Sequence, residues 1–390
     1  QNIMKKILIA CRGYYPHIAG GGEISTKKLA EELSSLGYDV HVLAVDCKDK
    51  DDLIENVKVS RVKFKNIYWS MGKEKHNPLA KLIWHIIDSN NIFFESKLTE
   101  LLERIKPDVL ITSTIEDVSS IIWRVAYDRR IRTLHILRSY SLLCKNANMY
   151  KEDNCISQCA SCRTLTLMKK TNSQYVNDVV GISKYVLEKH IENGYFRNAK
   201  AHVIYNMCID EIVEKRKLNG FQLPPIKLGY LGRIHKTKGI ELIITAVSKL
   251  KKEQKDKIIK CIAGAGEPGY INELNMLSVN FGLNIKFYGN VKPTLFLDDM
   301  DMLIVPSKWN EPFGRVIVES LGRGVPVAGK KVGGIPELLN DNKDFLFDIA
   351  EELTEIINLY LIGNIEFNFQ LEKFETKNIL EIWGQVLDKD

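Results

Sequence analysis

Short apolar runs alternate with longer amphipathic stretches along the first third of the chain. Ile7–Ala10, Val40–Val45, Val57–Phe64, Val109–Thr112 and Thr133–Leu137 read as strands, and Glu23–Leu36 and a stretch near Val118–Tyr127 as helices. One long amphipathic stretch runs from about Pro78 to Ile105. Strand followed by helix, repeated, predicts a parallel sheet covered on both faces. Val179–Ser183, a helix to about Asn193 and a strand at His202–Asn206 extend it. Polar Asp210–Gly220 and Pro224-Pro225 lack periodicity and mark a linker. The alternation restarts at Ile226–Leu231, Ile258–Ala263, Ile285–Tyr288, Met302–Val305 and Val325–Ala328, predicting a second doubly wound domain. Ligands of such sheets bind beyond the carboxyl ends of the strands, so two facing domains would hold the site in the cleft between them. The final stretch, Phe374–Leu387, places Ile379, Ile382, Trp383 and Val386 on one apolar helical stripe.

A chain of 390 residues with 45% hydrophobic content suits two ordinary domains, since single cores seldom grow beyond about 250–300 residues. No apolar run approaches the roughly 20 residues that cross a bilayer, and the opening Lys5–Ala10 is too short for a signal peptide, so a soluble cytoplasmic protein is expected. Gln1-Asn2-Ile3 precede Met4, the natural start of translation, and read as an added remnant. A net charge of +6 without basic residues interleaved with aromatics argues against nucleic acid as a partner. Lys63, Lys65, Lys73, Lys75 and Lys81 cluster around Tyr68 and Trp69. A solvated face is the default reading there, and peripheral contact with anionic lipid at the inner face of the membrane is the second.

The densest chemistry is Glu311-Pro-Phe-Gly-Arg-Val-Ile-Val-Glu319, where Gly314 opens a helix just after Met302–Pro306. A helix N-terminus offers free N–H groups to an anion, and flanking carboxylates can accept hydroxyl hydrogen bonds, a combination that suits a nucleotide sugar. Leu231–Gly239 puts Arg233 and Lys238 at a second strand end, where charge-assisted hydrogen bonds to phosphate are worth about 1.5–3 kcal/mol each. Gly264, Gly266 and Gly269 form G-x-G-x-x-G at a third strand end, but on the second strand of the domain, a poor fit to a dinucleotide site. Val332-Gly-Gly-Ile-Pro-Glu337 is a flexible loop at a fourth.

Taken in order, these motifs resemble the retaining glycosyltransferases of family 4, which have the GT-B fold. The resemblance rests on Pro16–Glu23 with its Gly20–Gly22 loop, a strand ending in Asn206, Gly232-Arg233 with Lys238-Gly239, Gly264 and Gly266, Pro306-Ser307, and the E-x7-E pair. It implies a metal-independent hexosyltransferase that carries a sugar from a nucleotide-sugar donor, UDP slightly favoured over GDP, to a glycan or lipid-linked acceptor in cell-surface polysaccharide or glycoconjugate synthesis. It implies an acceptor-side domain at 4–206, a donor domain at 207–373, and a terminal helix, 374–390, packed back on the first domain. Arg233 and Lys238 would hold the diphosphate, Glu319 the ribose and Glu311 the transferred sugar. Phe313, Gly314 and Arg315 would add backbone contacts, Gly232, Gly264 and Gly266 would border the donor, and Gly21 and Gly22 would reach the phosphates or the acceptor. The one near D-x-D, Asp299-Met-Asp301, lies at the wrong end of a strand to clamp a metal.

Family members often carry a His where this chain has Arg138, while His135, two residues deeper, reads as a core histidine. Arg138 can donate to a sugar or phosphate but cannot act as a base. Cys144, Cys155, Cys159 and Cys162 crowd one insertion, favouring a closed structural zinc over free thiols, disulfides or an iron–sulfur centre. The rival functions are a non-catalytic GT-B partner or scaffold, a nucleotide-sugar epimerase or phosphorylase on the same architecture, and, more distantly, an NAD-dependent dehydrogenase.

Overall fold

The computed structural model describes residues 4–213 and 225–389, so Gln1–Ile3 and most of the expected linker lie outside the described residues. Contacts divide the chain into two compact units. The first holds the chain up to Lys151, Cys155–Met207 and the segment from Lys377 onward; the second holds Glu152–Asn154 and Cys208–Thr376.

Unit 1 is built on eight strands: β1 Lys6–Cys11, β2 Asp39–Asp46, β3 Lys50–Ile54, β4 Val57–Lys63, β5 Val109–Thr114, β6 Arg132–Leu137, β7 Asp178–Gly181 and β8 Lys200–Val203. Their order is β3-β4-β2-β1-β5-β6-β7-β8. All pairs are parallel except β3 with β4. Ile7–Cys11 is fully buried, as expected of a strand covered on both faces, and Ile7 pairs with Val40 on one side and Val109 on the other. Sequence reasoning missed β3, because Lys-Asp-Asp-Leu-Ile on an exposed edge carries no apolar run.

Among the helices of this unit are α1 Gly21–Ser35, which opens at the glycine loop, α2 Pro78–Ser89 and α3 Ile92–Ile105. The single stretch expected over Pro78–Ile105 is broken at Asn90-Asn91. Asn91 is buried, its N–H donating to Ser119 Oγ at 2.8 Å and its amide to Lys65 O at 3.2 Å. Asn90 accepts from Asn172 at 2.9 Å. These side-chain bonds compete with the helix ladder. Asn77 caps α2, accepting from Ala80 N at 2.8 Å, with Pro78 at the first turn. The strand expected at His202–Asn206 lies earlier, at Lys200–Val203, and Asn206 leaves the sheet.

The C-terminal helix, Thr376–Leu387, buries Ile379, Leu380, Trp383, Val386 and Leu387. Ile382, expected on that stripe, is 41% exposed. Arg132 donates to Val386 O at 2.9 Å and Lys5 to Leu387 O at 2.6 Å, satisfying carbonyls at the end of this helix.

Unit 2 has a six-stranded parallel sheet, β9 Ile226–Leu231, β10 Ile258–Ala263, β11 Ile285–Gly289, β12 Met302–Val305, β13 Val327–Lys330 and β14 Leu346–Phe347, ordered β11-β10-β9-β12-β13-β14. The strand expected at Val325–Ala328 begins two residues later, and two-residue β14 is too short to leave a pattern in the sequence. Each sheet is wound outward in both directions from its first strand, with the switch between β1 and β5 in unit 1 and between β9 and β12 in unit 2. Ligands of doubly wound sheets bind at such switch points.

Candidate functional site

At the unit 2 switch point, β9 runs into Gly232, whose φ is +152° and whose N–H donates to Ala263 O at 3.0 Å. A Cβ on Gly264 would lie 1.8 Å from Gly232 O, and one on Gly266 would lie 2.5 Å from the Ile234 side chain. Ile234 N donates to Ala265 O at 2.7 Å. Thus the first two glycines of G-x-G-x-x-G let two strand-end loops approach backbone to backbone. Gly269 lies within the helix Pro268–Asn280, where a Cβ would meet nothing.

Arg233 projects from this loop, exposed, with no ion pair among the described residues. A single 3-10 turn, Lys236–Lys238, follows and ends at Gly239 with φ +65°. A Cβ at Gly239 would meet Pro306 O at 2.3 Å, and Thr237 O accepts from Lys308 N at 2.9 Å and Trp309 N at 3.1 Å. The turn that bears Lys238 is therefore locked onto the loop after β12. Lys238 Nζ forms an ion pair with Glu311 and lies 4.9 Å over the Trp309 ring.

Glu311 is held by its own backbone. Gly334 N donates to Glu311 O at 2.7 Å, and a Cβ on Gly333, whose φ is +56°, would come within 2.3 Å of that oxygen. Asn310 Oδ1 accepts from Gly333 N at 3.2 Å. Gly314, at φ +113°, then turns the chain into the helix Arg315–Gly322, beside buried Phe313. Arg315 and Glu319 pair along that helix at 3.1 Å, each one quarter exposed. Tyr230 lies buried beneath, its hydroxyl donating to Arg233 O at 2.7 Å. Burial pushes this phenol's pKa up, Glu311 adds to the rise and Arg233 opposes it. Arg233 and Glu311 are thereby gathered at one tyrosine, with Lys238 paired to Glu311, just before a helix N-terminus. Two cations beside a helix N-terminus can hold a dianion, and carboxylates alongside can hold hydroxyls.

In unit 1, Gly20 is extended and Gly21 and Gly22 begin α1. Glu23, buried, accepts from Gly20 N at 2.9 Å and from Arg12 Nε at 2.8 Å, which shapes the glycine loop. A Cβ on Gly22 would lie 3.5 Å from Thr114 and 3.9 Å from Arg138. Arg138 donates through Nε to Ser113 Oγ at 2.7 Å and through Nη1 to Asn206 Oδ1 at 2.5 Å. Ser113 in turn meets Thr26 Oγ1 at 2.7 Å. His135 is a core residue, bonded to Thr112 at 2.8 Å and stacked on Phe196. Burial draws its pKa down to about 3, so it stays neutral.

All four clustered cysteines line one cavity of about 50 Å³. Burial raises the pKa of Cys162, while the Ser161 hydroxyl, bonded to the Cys159 thiol at 3.4 Å, lowers that of Cys159. Among the described residues, no group of three or more His, Cys, Asp or Glu is arranged to hold a metal ion. The four thiols named for a structural zinc are brought to one cavity. Asp299 and Asp301 serve the sheet instead, pairing with Lys227 Nζ at 2.6 Å and accepting from Lys227 N at 2.8 Å.

Sequence reasoning passed over Trp309 and Asn310, though they directly precede Glu311, and over Ser113, which reaches its partners only through the fold; Asn206 and Glu23 entered it only as ends of motifs, with no role.

Models of two families match the chain, Glycosyltransferase Family 4 over residues 19–210 and Glycosyl transferases group 1 over residues 211–375. A Klebsiella pneumoniae protein described as an uncharacterized 42.6 kDa protein in the cps region is 32% identical over 93% of both chains. An uncharacterized glycosyltransferase of Methanocaldococcus jannaschii is 28% identical over 86% of this chain and 82% of its own. Among solved structures, Anabaena HepE in complex with UDP is similar at TM-score 0.67 and 18% identity, over 98% of this chain and 99% of that one.

Proposed function

Because the chain belongs to the family 4, group 1 glycosyltransferases, which have the GT-B fold, we propose that it transfers a sugar, with retention, from a nucleotide-sugar donor bound in unit 2 to a glycan or lipid-linked acceptor. The observation that carries this reading is the convergence of Arg233, Lys238 and Glu311 at the switch point of the unit 2 sheet. UDP is the preferred nucleotide, since HepE is described in complex with UDP and with UDP-glucose. The cps-region relative favours polysaccharide synthesis as the setting.

In the proposed reaction, the bond between the anomeric carbon and the diphosphate oxygen breaks, and a bond to an acceptor hydroxyl forms on the same face. The hydroxyl proton passes to the departing phosphate. Arg233 and Lys238 stabilise the charge that collects on that phosphate, with the helix N-terminus at Gly314 beside them. Lys238 must exchange Glu311 for phosphate, which frees Glu311 to accept sugar hydroxyls. Glu319 takes the ribose, Phe313, Gly314 and Arg315 line the sugar and phosphate, and Gly232, Gly264 and Gly266 border the nucleotide.

The test is release of UDP from a panel of UDP-sugars with acceptor present, with proton NMR of the product's anomeric coupling. A product of unchanged configuration is expected, and an inverted one would refute retention. A second reading, a non-catalytic partner, draws on Arg138, whose guanidinium is engaged by Ser113 and Asn206. Nucleotide binding without turnover on any sugar would favour it.

A further inference from the structure

Amphipathic helices normally turn their apolar stripe inward; α2 does the reverse. Leu79, Leu82, Ile83 and Ile86 stand at i, i+3, i+4 and i+7, one face of the helix, and are 64%, 43%, 40% and 58% exposed. The opposite face is the anchored one. Trp84 is buried and donates to Tyr68 O at 3.1 Å, and Asp88 is buried against Lys169 Nζ at 3.1 Å. Asn66 donates to the Trp84 carbonyl at 3.0 Å, and Tyr68 stacks between His76 and Trp84. The helix is thus clamped in an orientation that leaves its apolar stripe outside. Directly after the Asn90-Asn91 break, Ile92 and Phe93 are exposed as well, at 59% and 67%.

Charge decides what covers this face. From residue 62 to 94 the acidic residues are Glu74 and Asp88, and Asp88 is buried. The bases of the same segment, Lys63, Lys65, Lys73, Lys75 and Lys81, are all exposed, and the last three carry no ion pair among the described residues. An outward apolar stripe, with unpaired Lys73 and Lys75 in the loop that leads into the helix and Lys81 on its polar side, matches the interfacial zone of an anionic bilayer, where an amphipathic helix lies in the plane with its apolar face about 5–10 Å into the headgroup boundary.

We propose that α2 is a membrane-docking helix that seats unit 1 on anionic lipid, with Leu79, Leu82, Ile83 and Ile86 inserted and the surrounding lysines on the headgroups. This docking is independent of nucleotide binding in unit 2, so either can fail alone.

The experiment is co-sedimentation of the full chain with vesicles of phosphatidylcholine alone and with added phosphatidylglycerol, at low and high salt. Binding is expected only to the anionic vesicles and should weaken as salt screens the lysines. Leu82→Asp/Ile86→Asp should abolish binding. Lys73→Glu/Lys75→Glu/Lys81→Glu should weaken it by at least fivefold per lysine, an order-of-magnitude figure of about that size following from the attraction of one lysine to an anionic surface. All substituted positions are exposed, and unchanged circular dichroism shows that each variant folds. Equal sedimentation of wild type and Leu82→Asp/Ile86→Asp would overturn the proposal. So would a dimer that this variant splits in the absence of vesicle binding, since a second copy would then cover the face.

Discussion

The two switch points use charge in opposite ways. In unit 1, Arg138 is tied to Ser113 and Asn206, Glu23 is buried against Arg12, and Asp88 and Asp117 lie together inside. In unit 2, Arg233 is exposed, and Lys238 and Glu311 pair with each other beside Trp309 at a partly open site. Charges bound into a network shape a surface. Charges left at a strand end can exchange their partners for a ligand's phosphate, and this contrast is the physical basis for placing the donor in unit 2.

The largest test of the contrast is the buried carboxylate of unit 1. Burial and the Asp88 charge raise Asp117 to about 7, against the hydrogen bonds from Ser70. With an unfolded value of about 3.9, its contribution is fully present below about pH 4 and is lost as pH rises through about 7, on the order of 4 kcal/mol in all. Denaturant unfolding of wild type and Asp117→Asn across pH 4–8 should show the variant gaining relative stability as pH rises; a difference that stays flat would mean the carboxylate is not so perturbed. In unit 2, Gly264→Ala should cost about 3 kcal/mol or more, because φ is +139° and the new Cβ would strike Gly232 O. A neutral result would show that the two loops are not zipped as described.

Lys238→Ala should weaken UDP binding by roughly 10- to 100-fold, the worth of about one charge-assisted hydrogen bond, as read by equilibrium dialysis. Arg138→Ala should cost at least about 1.5–3 kcal/mol of stability through its lost hydrogen bonds to Ser113 and Asn206, while leaving UDP affinity unchanged. An affinity loss there equal to that of Lys238→Ala would erase the contrast between the units.

The strands were legible because parallel strands covered on both faces read as unbroken apolar runs, as Ile7–Ala10 and Met302–Val305 do. The loop before Arg315–Gly322 was legible because Gly314 and its flanking carboxylates follow such a run. What stayed hidden depends on tertiary partners. The break in Pro78–Ile105 needs Ser119 and Lys65 to draw Asn91 out of the ladder, and the outward stripe of α2 needs Trp84 and Asp88 to be claimed from the other side. Periodicity reveals that a helix has an apolar face, but not which way the face points. The cysteine spacing likewise announced a cluster without fixing how the thiols meet.

Calorimetric titration of UDP and of uridine into wild type and Arg233→Ala tests the donor site most directly. The account predicts that wild type binds UDP far more tightly than uridine, and that Arg233→Ala loses that preference while binding uridine as before. Equal affinity of both proteins for UDP would contradict it.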